Sequence, residues 1–204
     1  MITPYASRTG TRKNLAVLRR NGWRLLVSAR GVLRNEGFPY AIDNGAWTSH
    51  QRGEPFDVGA FERAVEWGGS GADWLILPDI VGGGVDSLRV SMEWAPRLSG
   101  IAPLLLAVQD GMTPADVSPI VGDDIGIAVG GSTGWKLDTI PQWGRLAASK
   151  SCRLHALRVN SIRRLRLCQD AGCTSFDGSG PSRFAAHGER MSRALRQTQL
   201  FERR

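Results

Sequence analysis

At 204 residues, with 42% hydrophobic and 22% charged side chains, the chain is long enough to bury a core and has the composition of an ordinary soluble globular protein. No apolar run approaches the ~20 residues that cross a bilayer, and the start Met1-Ile2-Thr3-Pro4-Tyr5 lacks the charged and apolar regions of a signal peptide. Three cysteines, an odd and sparse set, argue against a disulfide framework and for a reducing cytoplasm. The net charge of +7 resides in residues 151–204, where eleven arginines face four acids. Such one-sidedness suits a polyanion bound through its phosphates, or simply a solvated helix face.

Eight short, mostly aliphatic runs follow one another along the chain: Ile2–Ala6, Arg24–Ala29, Tyr40–Asp43, Trp74–Ile80, Pro103–Gln109, Ile125–Gly130, Leu154–Val159 and Thr174–Asp177. Their length and character predict parallel strands buried on both faces. Between them lie amphipathic stretches. Thr11–Arg20 sets Leu15 and Leu18 on one face, and Asp57–Gly68, with Asp57 as N-cap, repeats Phe61, Ala64 and Val65. Asp86–Leu98, Thr113–Val121, Lys136–Ser149 and Ser161–Ala171 continue the pattern, the last ended by Gly172. Pro181–Phe201 turns Phe184, Met191 and Leu195 inward, whereas Arg30–Pro39 reads as a loop. Strict alternation predicts an α/β fold, one domain spanning residues 1–204, with a basic helix over 183–204. Eight strands fit a compact (βα)8 barrel of the TIM type, shorter than the usual ~250 residues. An open doubly wound sheet is the competing arrangement.

In such a barrel the chemistry sits where strands end. The third run ends in Asp43-Asn44-Gly45-Ala46-Trp47, the fourth in Pro78-Asp79, the fifth in Gln109-Asp110-Gly111, the sixth in Gly130-Gly131-Ser132 and the eighth in Asp177-Gly178-Ser179-Gly180. Each has a bland reading. Asp43 starts a turn, Asp79 and Asp110 cap helices, Gln109 is a satisfied amide, and Gly130-Gly131 is a tight turn or a phosphate cradle. Acids after apolar strands nevertheless cost folding energy unless paired or used. Three carboxylates, an amide and a Gly-Gly pair around one mouth make a site.

These motifs resemble the tRNA-guanine transglycosylases and their phage and bacterial DNA-modifying relatives. The family's Asp-Ser-Gly-Gly-aromatic motif is similar to Asp43-Asn44-Gly45-Ala46-Trp47, and its base-recognising aspartate matches Asp79. Its Val-Gln-Gly segment resembles Val108-Gln109-Asp110-Gly111, and its Gly-Gly-Leu-Ala-Val-Gly motif resembles Gly130-Gly131-Ser132-Thr133-Gly134. Phe-Asp followed by Pro-Thr-Arg resembles Phe176-Asp177 followed by Pro181-Ser182-Arg183, the most specific match. The order agrees from Asp43 to Arg183. There are departures. No Cys-x-Cys-x-x-Cys…His zinc site follows the nucleophile motif, and Cys152, Cys168, Cys173 and His155 are not spaced as a zinc site. The methionine that stacks on the base is replaced near Leu157-Arg158, and Ser132 stands for leucine.

The resemblance implies a base exchange at a nucleotide C1′ by double displacement, chemically close to retaining glycoside hydrolysis. It implies Asp177 as nucleophile and Asp43 as general acid/base. Asp79, Gln109, Gly130, Gly131, Ser132 and Arg158 would hold the base, with Trp47 stacked on it. Arg183, Arg190, Arg193 and Arg196 would grip phosphates while the nucleotide is flipped out. No cofactor and no metal are expected. The missing zinc subdomain and small size point to DNA before tRNA, with guanine replaced by a 7-deazaguanine such as the cyano base preQ0. A phage origin in a host cytoplasm would fit, and a homodimer or a partner protein stays open. The same exchange on tRNA, a nucleoside or glycoside hydrolase using the two carboxylates, and a non-catalytic nucleic-acid-binding barrel are the rival readings.

Overall fold

The computed structural model describes residues 2–9 and 11–201, with side chains to Gln197. Arg203 and Arg204 of the expected basic helix lie outside the described residues. Eight strands form in chain order: β1 (Thr3–Ser7), β2 (Arg24–Ser28), β3 (Tyr40–Asp43), β4 (Leu75–Ile76), β5 (Leu104–Val108), β6 (Ile125–Val129), β7 (Leu154–Ala156) and β8 (Ser175–Gly178). Each pairs in parallel with the next, and β8 returns to β1 through the register Thr3/Ser175, Pro4/Phe176, Tyr5/Asp177 and Ala6/Gly178. The sheet is thus a closed (βα)8 barrel of the TIM type, and the open sheet is excluded.

The period-two alternation of each strand sorts its side chains between two apolar regions. Tyr5, Leu26, Ala41, Trp74, Ile76, Leu105, Ala107 and Ala128 meet inside the barrel, with Leu157 against them. Tyr5 and Trp74 supply bulk there and the alanines leave room for it. Their neighbours Leu25, Val27, Ile42, Leu75, Leu106, Val108 and Ile127 point outward to Leu18, Phe61, Trp143 and Leu165 of the helices.

Nine helices wrap the described barrel: α1 (Arg12–Arg20), α2 (Ala46–Gln51), α3 (Val58–Gly68), α4 (Val85–Leu98), α5 (Pro114–Val117), α6 (Thr133–Ser149), α7 (Ile162–Asp170), α8 (Gly180–Arg183) and α9 (Ala185–Phe201). Asp57 does cap α3, accepting from Ala60 N at 2.9 Å. Four details differ from the sequence pattern. Helix α2 is too short to show a periodicity. Helix α5 is confined to Pro114–Val117, although Ser118 after it keeps a helical backbone (φ −52°, ψ −34°). Helix α6 begins three residues early, where the Ser132 side chain accepts from Trp135 N. The last helix is broken at Phe184, whose backbone is extended (φ −133°, ψ 112°). The break loses the helical phase, so Phe184, expected inward, is 66% exposed, while Met191 and Leu195 are buried.

Helix α9 carries the chain to the N-terminal end of the barrel. Glu189 meets Arg20 and Asn21 at the end of α1, and Ser192 Oγ accepts from Trp23 Nε1, just before β2, at 2.8 Å.

Candidate active site

Asp43, Asp79 and Asp177 converge at the C-terminal mouth. Asp177, in β8, is 5% exposed. Its Oδ1 accepts the backbone N–H of Arg158 at 3.0 Å and lies 3.3 Å from His155 Nε2. The next residue must be glycine for reasons of space, since a Cβ on Gly178 would come within 2.6 Å of the Val159 carbonyl. Beyond it, Gly180 N donates to Asn160 Oδ1 at 2.9 Å, and Ser182 Oγ donates to the carbonyl of Ser7 at the end of β1. The Gly-Ser-Gly-Pro-Ser run therefore fastens α8 to the rim and leaves Asp177 facing inward.

Asp43 ends β3 beside its register partner Ser28. Burial pushes its carboxyl up to about 6 and the negative charge of Asp177 adds to the shift, while Ser28 and the N–H of Gly45 oppose it. Asp79 is likewise pushed up to about 6, by burial first and by Asp43 second, against the hydrogen bond from Asn44. Asn44 donates to Asp79 Oδ1 at 2.7 Å and to the Leu77 carbonyl at 2.6 Å, and accepts from Ala46 N at 2.8 Å. This amide ties the ends of β3 and β4 together. Among the described residues no guanidinium or ammonium is bonded to these carboxylates, and Asp43 and Asp79 accordingly keep a proton up to about pH 6.

Two residues span the mouth. Trp47 stands in α2, after β3, and Arg158 follows β7, four strands away around the barrel of eight. The Arg158 guanidinium nevertheless lies 4.3 Å from the centre of the Trp47 ring, while its Nη2 donates to the Gly131 carbonyl. Arg158 has φ +59°, a left-handed conformation that costs a non-glycine residue about 1 kcal/mol or more. The strain aims its N–H at Asp177 and its side chain across the opening.

The remaining expected residues occupy the same mouth in restrained positions. Gln109 is 4% exposed and braces the loop after β4: Oε1 accepts from Gly82 N at 2.5 Å, and Nε2 donates to the Ile80 carbonyl at 2.8 Å and to Asp79 Oδ2 at 3.5 Å. Asp110 caps nothing of its own. Its carboxylate accepts from Ser132 N and Ser132 Oγ, both at 2.6 Å, bonds that outweigh burial and leave its pKa lowered. That acid fills the place a phosphate would take at the start of α6. Gly130 continues the β6 ladder, donating to the Val108 carbonyl at 2.8 Å.

The arginines divide. Arg183 is exposed on the rim, next to α8's anchor. Arg190, Arg193 and Arg196 lie along α9 toward the opposite end of the barrel, Arg196 bonded to Asn21. The rim instead gathers Arg12 and Lys13 at the start of α1 and Arg163 at the start of α7, both exposed helix beginnings on the Asp177 side. Among the described residues these cations have no ion pair or side-chain hydrogen bond. Among the described residues no group of three or more His, Cys, Asp or Glu is placed to hold a metal, and no helix is long and apolar enough to cross a membrane. A groove of about 590 Å³ between α4 and the starts of β5 and β6 lies at the other end of the strands, away from the carboxylates.

Sequence reasoning passed over His155, reading it with the cysteines. The signal was present: His155 is a polar residue at an inward position of an apolar strand, beside Ser175 and Asp177, which share a face by period two.

No family model and no curated protein matches the chain. Among solved structures it is similar to a chain described as a cube-shaped, highly porous protein cage designed by fusing symmetric oligomeric domains. That match covers 99% of this chain and 75% of the other, with a TM-score of 0.56 and 11% identity. At that identity the likeness concerns the barrel alone. The fold and the recessed carboxylates are those of a TIM-barrel enzyme scaffold.

Proposed function

We propose that the protein exchanges a guanine base in nucleic acid, DNA before tRNA, for a 7-deazaguanine through a covalent aspartyl intermediate. The carrying observation is the Asp43–Asp177 pair: two strand-end carboxylates in one mouth, with the Asp177 charge acting on Asp43, whose carboxyl is pushed up to about 6. A general acid/base needs a proton affinity near the working pH, and a nucleophile needs N–H donors holding it as an anion. Asp43 meets the first requirement, and Asp177, with the Arg158 N–H on Oδ1, meets the second.

Asp177 attacks C1′, the base leaves with the proton of Asp43, and the incoming base returns a proton to Asp43 as it displaces the aspartate. Asp79 receives the N–H groups of a guanine-type edge. The base enters between Trp47 and Arg158, replacing their mutual contact with stacking on both faces. Once the Arg158 side chain swings away, the Gly131 carbonyl becomes an acceptor for the base. Phosphates flanking the flipped nucleotide meet Arg12, Lys13, Arg163 and Arg183 on the rim.

Duplex DNA, single-stranded DNA and tRNA are each incubated with the protein and labelled guanine or preQ0, then digested for nucleoside mass spectrometry. Label in DNA supports the leading reading, and label in tRNA moves it to that substrate. Abasic product without label makes the protein a hydrolase. Unchanged nucleic acid in every arm removes base exchange.

A further inference from the structure

His155 is enclosed by the site, yet the steps above leave it idle. Its ring is fully buried inside the barrel, 4.5 Å from the Trp74 ring and edge-on to Tyr5 at 5.9 Å. Both nitrogens are engaged, Nδ1 lying 2.8 Å from Ser175 Oγ and Nε2 3.3 Å from Asp177 Oδ1. Ser175 is the register partner of His155 and sits two residues before Asp177 on the same face of β8. The three side chains thus form one line behind the carboxylate.

The line has a direction. Asp177 Oδ1 already accepts the Arg158 N–H. A bare Nε2 lone pair aimed at that oxygen would repel it, so Nε2 carries the hydrogen and Nδ1 accepts from the Ser175 hydroxyl. Two N–H donors then hold Oδ1, and no protein donor is bonded to Oδ2.

We infer that His155 is a positioning residue whose ring Ser175 holds in place and whose Nε2–H pins Asp177 so that Oδ2 is the attacking oxygen. This rests on the base-exchange reading. In the forward step an Oδ2–C1′ bond forms, the glycosidic C–N bond breaks, and its electron pair leaves with the base as that base takes the proton of Asp43. In the return step the incoming base gives a proton to Asp43, the new C–N bond forms, and the Oδ2–C1′ electrons go back to the carboxylate. His155 keeps its proton throughout.

The test reads Asp177 directly. Carbon-13 NMR of carboxyl-labelled aspartate follows its titration in the folded protein, with the signal assigned by its loss in Asp177→Asn. The other groups acting on it are Asp43 from β3, Lys136 from α6 and Arg158 after β7, all kept in the variants. His155→Leu removes the donor and is expected to raise the Asp177 midpoint by about one pH unit. His155→Gln restores an N–H near the same place and is expected to return most of the shift. Should His155→Leu fail to fold, Ser175→Ala, which frees the tautomer, is expected to give a smaller rise of the same sign. Formation of the sugar–enzyme adduct should fall about 10- to 100-fold in His155→Leu, in kcat rather than KM, and recover in His155→Gln. Titration of Asp177 unchanged in both His155→Leu and Ser175→Ala overturns the proposal. So does equal loss in the leucine and glutamine variants. A shifted titration in a protein that forms no adduct with any nucleic acid keeps the positioning role and removes the base-exchange reading instead.

Discussion

Asp73 at the N-terminal end of the barrel and Asp43, Asp79 and Asp177 at its mouth are acids of one kind in opposite company. Asp73 is met by the Arg24 guanidinium and by the Tyr5 hydroxyl at 2.9 Å. That contact and its burial hold the Tyr5 hydroxyl well above its usual range. The closed end of the barrel is thus neutralised pair by pair. At the mouth the carboxylates share backbone N–H groups, amides and one imidazole, and two of them retain the cost of burial as raised proton affinity. The nearest guanidinium, Arg158, is turned onto Trp47 and Gly131. Under the proposed function the difference separates structural from chemical use of the same side chain: the acid that supports the fold receives a counter-charge, and the acids at the mouth go without one.

Exchanging the two roles should show it most strongly. Asp177→Asn is expected to lower adduct formation on denaturing gels by at least about 10³-fold, with the urea midpoint unchanged or higher. Asp73→Ala is expected to do the reverse, costing on the order of 1–3 kcal/mol in urea unfolding by orphaning Arg24 and Tyr5 while adducts form at the parental rate. A normal adduct in Asp177→Asn, or an inactive but stable Asp73→Ala, erases the distinction.

The raised pair at the mouth predicts a pH signature. Asp43 and Asp79 hold a proton more tightly folded than unfolded, so their contribution to stability is complete at about pH 4 and is lost as pH rises to about 6. Asp43→Asn and Asp79→Asn should each stabilise the protein by on the order of 1–3 kcal/mol at pH 7 and by nothing measurable at pH 4. In the parent, adduct formation should decline above about pH 6 as Asp43 loses the proton it donates. A flat profile from pH 5.5 to 8 takes the acid role from Asp43.

Smaller effects test the bridge across the mouth and the rim. Arg158→Gly relieves the left-handed strain and frees the Trp47 face, so stability should rise by up to about 1 kcal/mol while KM for nucleic acid rises roughly tenfold. Arg183→Ala and Arg12→Ala should each flatten the salt dependence of duplex binding by about one counterion. Arg193→Ala, midway along α9 and away from the mouth, should leave it unchanged.

The barrel was readable because eight aliphatic runs buried on both faces have few alternatives, and every one of them became a strand. The carboxylates were readable because they interrupt those runs where a barrel collects its chemistry. What escaped was set by contacts distant in sequence. Whether Gln109 reads a base or braces the 79–82 loop depends on Gly82 and Ile80, which no spacing near residue 109 reveals. The α9 arginines looked like part of the site because they follow it in sequence. The extended residue Phe184 sends that helix down the outside of the barrel, whereas Arg12, Lys13 and Arg163, scattered along the chain, reach the rim.

The pairing of Tyr5 with Asp177 places the proposed nucleophile on the seam where the last strand meets the first. The charge that Asp177 lays on Asp43 depends on that seam, because β8 faces β3 only across the closed barrel. Closing the barrel brings Asp177 to bear on Asp43, whereas the repulsion between Asp43 and Asp79 belongs to the neighbouring ends of β3 and β4. Under the proposed function, the strand that supplies the nucleophile is also the one that closes the chamber around it. A mild acid pulse during refolding, by protonating Asp43, should speed that closure.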